Sequence, residues 1–292
     1  MKNVLTVDVE EWFHPEALQN QFPMDSWPDQ KKRLEPLIER LLEAFDVHRA
    51  RATFFVLGWV AEQNPQIVKK IVAAGHEIAS HSYAHRMVTK MSPDSFDQDL
   101  KKSIRVLEDI AGVRVKGFRA PTFSITGQNL WAFDVLAQNN LEYDSSIYPI
   151  WHDRYGMPHA PRTPFIFESA GGKPIVEFPM PTIRIGNKNI PFGGGGYLRL
   201  LPLWFTQYAI KKFNREGHPA IIYMHPWEFD SDQPRVPLGR LQSLRHYGRI
   251  KRNFNKLERL LKQFEWMAME DYLTLLKKEE KLSVKKLNLI TK

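Results

Sequence analysis

The sequence predicts an α/β fold in which parallel strands are joined by helical crossovers. Two observations carry this. Short β-rich apolar runs alternate with helix-patterned stretches over the first 150 residues. Polar side chains also gather where the apolar runs end, and in such folds the sites collect at the carboxyl ends of strands.

Taken in order, NVLTVDV (3–9) reads as a buried first strand and KRLEPLIERLLEAFDVH (32–48) as a first helix. RATFFVLGWVAE (51–62) reads as a second strand. PQIVKKIVAAGHEIAS (65–80) is a helix ending at Gly75, followed by a short third strand. DSFDQDLKKSIRVLEDIAG (94–112) is a capped helix closed by Gly112, VKGFRAP (115–121) the next strand and NLWAFDVLAQNN (129–140) a helix leading into LEYDSSI. Residues 150–200 break the pattern with Pro and Gly. PIVEFPMPTI is extended there, and PFGGGGYLRL is a turn that serves a loop or a tight backbone approach rather than a phosphate cradle, because no GK[ST] follows. A helix (200–217), a last buried strand PAIIYMHPWEF (219–229) and an amphipathic helix FNKLERLLKQF (254–264) complete the chain.

Length fits one large domain with insertions: residues 1–230 as the main body, interrupted at about 150–200, and 231–292 as a helical extension with a basic tail. There is no cysteine, so any metal must be held by His and carboxylates, and disulfides are excluded. No leader pattern precedes the first strand and no run approaches 18 apolar residues, so the expectation is a cytoplasmic protein without a membrane span. The net charge of +8 is concentrated from Arg235 to Arg259 and in the tail. A solvated basic face is the ordinary reading, attraction to an anionic surface or carrier group the sharper one. Nucleic acid is a poor fit without a recognition motif, and the oligomeric state, homo-oligomer included, is not readable.

The polar groups at strand ends are Asp8 and Glu10 after the first run, His81 and His85 in HSYAH after the third, then Arg119, Asp144 and His225. Asp8 and Glu10 are two apart and share a face. Two histidines four apart on a helical turn project from one face. Taken singly, each has a plain structural reading: solvated carboxylates, a satisfied core histidine, an Arg119–Asp144 ion pair. Five strand ends carrying polar groups in this order make a set that would converge on one rim if the strands formed a barrel.

That order resembles the polysaccharide deacetylase family, the NodB-homology domain of the carbohydrate esterases. HSYAH matches its His-[Ser/Thr]-x-x-His element, and FRAPTF, YDSSIYP and YMHPWE resemble three others; the match covers most of residues 3–230. VDVEEWF and the C-terminal extension resemble the branch linked to bacterial exopolysaccharide gene clusters. The resemblance implies a distorted (β/α) barrel and a metal-dependent N-deacetylase of an N-acetylhexosamine glycan. One divalent ion, Zn²⁺ in expectation, would be held by Glu10, His81 and His85. The family's first motif has adjacent aspartates, whereas here Asp8 is followed by Val9, so the carboxylate ligand is Glu10 or, as fallback, Glu11.

The same resemblance makes Asp8 the general base, paired with Arg119, and Asp144 the group fixing Arg119. His225 becomes the general acid, with a backbone N–H near Thr122 at the oxyanion. Trp12, Phe13, Trp151 and Trp227 lie near motif positions and are placed for stacking on sugar faces, with core packing as the rival reading. The partner is an N-acetylated glycan, and the basic C-terminal region suggests a lipid-linked one. A metal-independent cyclic-amide hydrolase of the allantoinase-like branch is the alternative function.

Overall fold

The computed structural model describes residues 1–152, 154–168 and 173–285. Strand β1 (Asn3–Val9) is followed by α1 (Leu34–Val47), β2 (Thr53–Val56), α2 (Gly58–Gln63), α3 (Pro65–Ala73) and β3 (Glu77–Ser80). Next come α4 (Pro93–Ala111), β4 (Gly117–Phe118), α5 (Trp131–Gln138) and β5 (Tyr143–Asp144). The second half holds β6 (Phe165–Glu168), β7 (Pro174–Glu177), β8 (Thr182–Ile185), β9 (Lys188–Pro191), α6 (Gly195–Leu200), α7 (Leu203–Arg215) and β10 (Ile221–Met224). The remaining elements are α8 (Arg240–Tyr247), α9 (Ile250–Gln263), β11 (Trp266–Met267), α10 (Met269–Lys278) and β12 (Val284–Lys285).

Apart from the β8–β9 hairpin, the strands form one sheet in the order β10-β1-β2-β3-β4-β5-β7-β6-β12, with β11 beside β1. All neighbours are parallel except β6 and β7, as the helical crossovers require. Among the described residues the ladder does not close between β10 and β12, so the barrel is a distorted, open one. Strand β1 lies inside it, buried along its whole length, because its neighbours cover both edges and helices cover the outside. Its carboxyl end therefore sits among those of β2, β3, β4, β5 and β10.

Local chemistry sets the boundaries. Ser92 caps α4 by accepting from the Ser95 N–H, Pro93 starts the helix, and Gly112 ends it at φ 66°. Phe96, Leu100, Ser103 and Leu107 form its buried stripe. The strand expected over 51–62 stops at Val56, because the N–H groups of Gly58 and Trp59 donate to the carbonyls of Ser82 and Tyr83. Those bonds leave the β2 ladder and start α2 instead. Strand 115–121 shrinks to two residues, since the Ala120 N–H is taken by Ser146 Oγ and Thr122 and Phe123 turn left-handed.

The glycine run is not only a turn, because Gly195 opens α6. Its tight approach is real: Gly193 and Gly194 run against Tyr223 of β10, and a Cβ on Gly194 would lie 2.2 Å from the Tyr223 carbonyl oxygen. Strand β10 is also not the last. Strand β11 pairs with the start of β1, and β12 with β6, so the segment after residue 230 is woven into the sheet. The last part of the basic tail, 286–292, lies outside the described residues. No described helix is long and apolar enough to cross a membrane.

Helix α10 closes the end of the sheet away from the strand carboxyl termini. Glu77 is buried there and accepts from the Tyr143 hydroxyl and from the Thr53 hydroxyl and the Glu270 N–H. Burial, with Glu270 nearby, raises its pKa to about 7. The folded state thus keeps a proton that the unfolded chain releases near 4.5. This contribution to stability is complete below that value and lost as pH rises to about 7. Relative to Glu77→Gln, the wild type is expected to lose on the order of 3 kcal/mol between pH 5 and 8. Denaturant unfolding of both proteins at the two pH values measures it; a gap that does not change with pH would contradict the assignment.

Candidate active site

A cleft of about 640 Å³ opens at the carboxyl ends of the strands, lined among others by Asp8, Glu10, His81, His85, Thr122, His225 and Trp227. Asp8 is the penultimate residue of β1 and Glu10 the first residue beyond it. Both are buried and reach the same cleft.

HSYAH forms no helical turn, contrary to the expectation that brought its histidines to one face. It is an irregular loop with left-handed Ser82 (φ 68°) and His85 (φ 51°). Asp99 of α4 accepts from the N–H groups of Tyr83 and Ala84, and Ser82 Oγ from that of His85, which pins the loop. The imidazoles still converge: His81 Nε2 lies 3.1 Å and His85 Nε2 3.0 Å from Glu10 Oε1. Ligand atoms of the three residues all lie within 4.8 Å of one another.

The donor set fits a divalent cation. His81 Nδ1 lies 2.8 Å from the Arg119 carbonyl, which can only accept, so Nδ1 carries the proton and a neutral ring turns its Nε2 lone pair toward Glu10. Lone pairs facing a carboxylate oxygen repel unless a cation lies between them or the rings are protonated. Burial would raise Glu10, yet the imidazoles of His85, His225 and His81 hold its carboxyl well below the usual range. Two imidazoles and one carboxylate form a three-ligand N/O set suited to zinc.

Glu11 points elsewhere. Its carboxylate accepts from the Arg33 and Leu34 N–H groups and caps α1, while burial raises its pKa to about 7. The strand's alternation sends Glu10 into the cleft and its neighbour to the helix.

Across the cleft, Arg119 is fully buried on the Phe55 ring face. It donates to Asp8 Oδ1 at 2.7 Å, to Thr6 Oγ1 at 2.8 Å and to Ser145 Oγ at 3.0 Å. Asp144 does not hold Arg119, which corrects that expectation. Register pairs Phe118 with Asp144, so Arg119 lies opposite Ser145. Asp144 instead accepts from Ser146, whose Oγ receives the Ala120 N–H. Glu177 of β7 is its register partner, and burial raises both carboxyls.

His225 Nε2 stands 3.8 Å from Asp8 Oδ2 and 3.7 Å from Glu10 Oε1, and its Nδ1 is 3.3 Å from Glu228 Oε2. Burial opposes the charged ring, but Glu10, Glu228 and Asp8 outweigh it and raise its pKa to about 9. Glu228 is itself buried, and Arg199, 2.6 Å away, together with His225 keeps its pKa near 2. Sequence reasoning missed both members of this relay. Glu228 stood in YMHPWE, three residues past His225; Arg199 carried no signal beyond following the glycine run.

The aromatic expectations divide. Trp227 lines the cleft, stacked between His225 and His246 at centroid distances of 5.1 and 4.7 Å. Trp12 and Phe13 do not: both are buried in a cluster with Phe22, and the Trp12 indole donates to the Lys31 carbonyl. They follow the strand end into the core. Trp151 is 82% exposed and outside the lining, which is formed by its neighbours His152, Arg154 and Tyr155. Thr122 lines the cleft in a left-handed conformation, φ 57°. His14 was not foreseen; it is buried beside His85, ring centroids 6.2 Å apart, and burial keeps it neutral.

Fold and site together define an open parallel α/β barrel with a two-histidine, one-carboxylate centre at its strand ends. Part of the chain matches the polysaccharide deacetylase family. The family model of that description matches residues 25–141, and a domain of unknown function, DUF3473, matches residues 145–274. A peptidoglycan-N-acetylglucosamine deacetylase of Bacillus cereus is 36% identical over 94 residues, 32% of this chain and 34% of that protein. A peptidoglycan deacetylase of Helicobacter pylori is 30% identical over 110 residues, 38% of this chain and 36% of that one. The matches thus span about a third of these relatives' length. A crystal structure from Mycobacterium smegmatis, assigned as a polysaccharide deacetylase, superimposes with a TM-score of 0.62 at 20% identity, covering 99% of this chain and 95% of that one. It shares the fold.

Proposed function

We propose that the protein is a metal-dependent N-deacetylase, hydrolysing the acetamide of an N-acetylhexosamine unit in a poly- or oligosaccharide. The observation that carries this is one cleft holding the Glu10–His81–His85 set opposite an arginine-bound carboxylate and a carboxylate-bound histidine.

Glu10, His81 and His85 would hold the ion, which when bound supplies Lewis-acid polarisation of the amide carbonyl and activation of water. The chain's own residues do the rest. Arg119 occupies Asp8 Oδ1 and fixes the carboxylate, so that Oδ2 serves as the base that takes the proton from water. His225, its imidazolium favoured by Glu228 and Asp8, hands its Nε2 proton to the departing amine, a poor leaving group while unprotonated. Glu228 keeps that ring oriented through Nδ1, and Arg199 anchors Glu228. The Thr122 N–H supports the developing oxyanion, and Trp227 offers its ring to a sugar face.

Zinc, exopolysaccharide synthesis and a cytoplasmic location belong to this reading. Their support is the donor set, the motif pattern and the absence of cysteine. An acetate-release screen over N-acetylated oligosaccharides, with and without added Zn²⁺, tests it. The expected result is metal-stimulated acetate release. Ring opening of cyclic amides without metal, and no acetate, would replace it with the cyclic-amide hydrolase.

A further inference from the structure

The cleft lining carries four carboxylates and three guanidinium groups, and two of those guanidinium groups have no ion partner among the described residues. Every acidic side chain of the lining has a cationic or imidazole partner from the chain. Asp8 has Arg119, Glu10 has His81 and His85, Glu228 has Arg199, and Glu16 has Lys90 at 2.7 Å. Two cations remain, Arg154 and Arg245 of α8. Both line the cleft, both are exposed, and neither side chain has an ion pair or hydrogen bond among the described residues.

The backbone under each is fixed by the site itself. Arg154 precedes Tyr155, whose ring stacks on His152 at 3.8 Å and on Tyr148 at 5.9 Å and packs against the cleft residue Phe123. The Arg245 carbonyl accepts from Arg199 Nη2 at 2.6 Å, and Arg199 is the residue that holds Glu228 behind His225. Two planar guanidinium groups on anchored backbone, facing one concavity, have the geometry that recognises carboxylate or phosphate. Cleft walls of low dielectric focus their field on an entering ligand. The bland reading, two solvated surface charges, explains arginine anywhere on a basic protein. It does not explain why the lining's carboxylates all have partners while these two guanidinium groups stand unpaired in the same cleft.

We propose that the cleft takes an anionic glycan, one bearing a carboxylate or phosphate near the acetamido sugar, and that Arg154 and Arg245 read that charge. This rests on the deacetylase reading and names its substrate class. Exposed Trp151, Leu241 and Leu244 adjoin the lining in sequence, so a lipid-linked phosphate is as fitting a source as a uronic acid.

The test is calorimetric binding to the full chain, with acetate release followed in parallel. A hyaluronan tetrasaccharide is compared with chitotetraose for the carboxylate, and N-acetylglucosamine 1-phosphate with N-acetylglucosamine for the phosphate. At least one anionic ligand is expected to bind about 10-fold tighter than its neutral counterpart, the preference shrinking as salt rises. In the Arg154→Gln, Arg245→Gln double variant the preference should fall to within about 2-fold, with an unchanged melting temperature because both side chains are exposed. Equal binding of charged and neutral ligands, no binding of either anionic one, or a preference that survives the double substitution would each overturn the proposal. Binding that prefers the anion with no acetate from any ligand would sink the deacetylase reading instead.

Discussion

Asp8→Asn should lower turnover of an N-acetylated glycan by about 10²- to 10⁴-fold while leaving the bound metal in place, the range attached to loss of a positioned general base. The amide keeps an oxygen for Arg119 Nη1 but no longer takes a proton from water. Arg119 retains Thr6 and Ser145 as acceptors, so the barrel interior stays hydrogen-bonded. A buried guanidinium that loses its carboxylate nonetheless costs stability, up to about 3–5 kcal/mol when a pair is fully broken. Kinetics should therefore be taken well below the melting temperature recorded for the same preparation. Acetate release gives the turnover and elemental analysis the metal. A variant that turns over like the wild type would remove Asp8 from the role of base.

His81→Ala is expected to fail at the earlier step, holding the ion. It deletes one ligand nitrogen of the three and also the bond from Nδ1 to the Arg119 carbonyl. Loss of a supporting partner alone weakens metal sites by about 10–100-fold, and loss of a ligand should exceed that. The backbone of HSYAH is held by Asp99 and Ser82 rather than by the deleted ring, so the loop keeps its course. Metal stoichiometry after dialysis is the readout, and a stoichiometry equal to wild type would reject the ligand assignment. Glu11→Gln is the control: its neighbour Glu10 faces the histidines, whereas Glu11 caps α1. That change should cost about 1 kcal/mol of stability and no metal.

Legibility differed by kind of residue. Asp8, Glu10, Arg119 and His225 were nameable because each stands where an apolar run stops, and in a parallel sheet every such stop opens on the same rim. The aromatics misled for a related reason. Trp12 and Phe13 follow Glu10 by only two and three positions, but the chain turns after Glu11 and buries them with Phe22. Asp144 misled through register, which no single strand reveals: one residue of slip separates facing Arg119 from facing Glu177. Arg199 was invisible because its importance comes entirely from Glu228, a neighbour 29 positions away.

The sequence by itself determined the alternation of strand and helix, the absence of thiolate chemistry and the order of polar groups along the chain. These depend on periodicity and composition, which are local. Only the tertiary structure decided which carboxylate meets the imidazoles, how a loop rather than a helical turn aims them, and how the last strands enter the sheet. Those outcomes depend on register and on long-range hydrogen bonds between segments as far apart in sequence as Asn3 and Glu265, and the energies that select them exist only once the chain is packed.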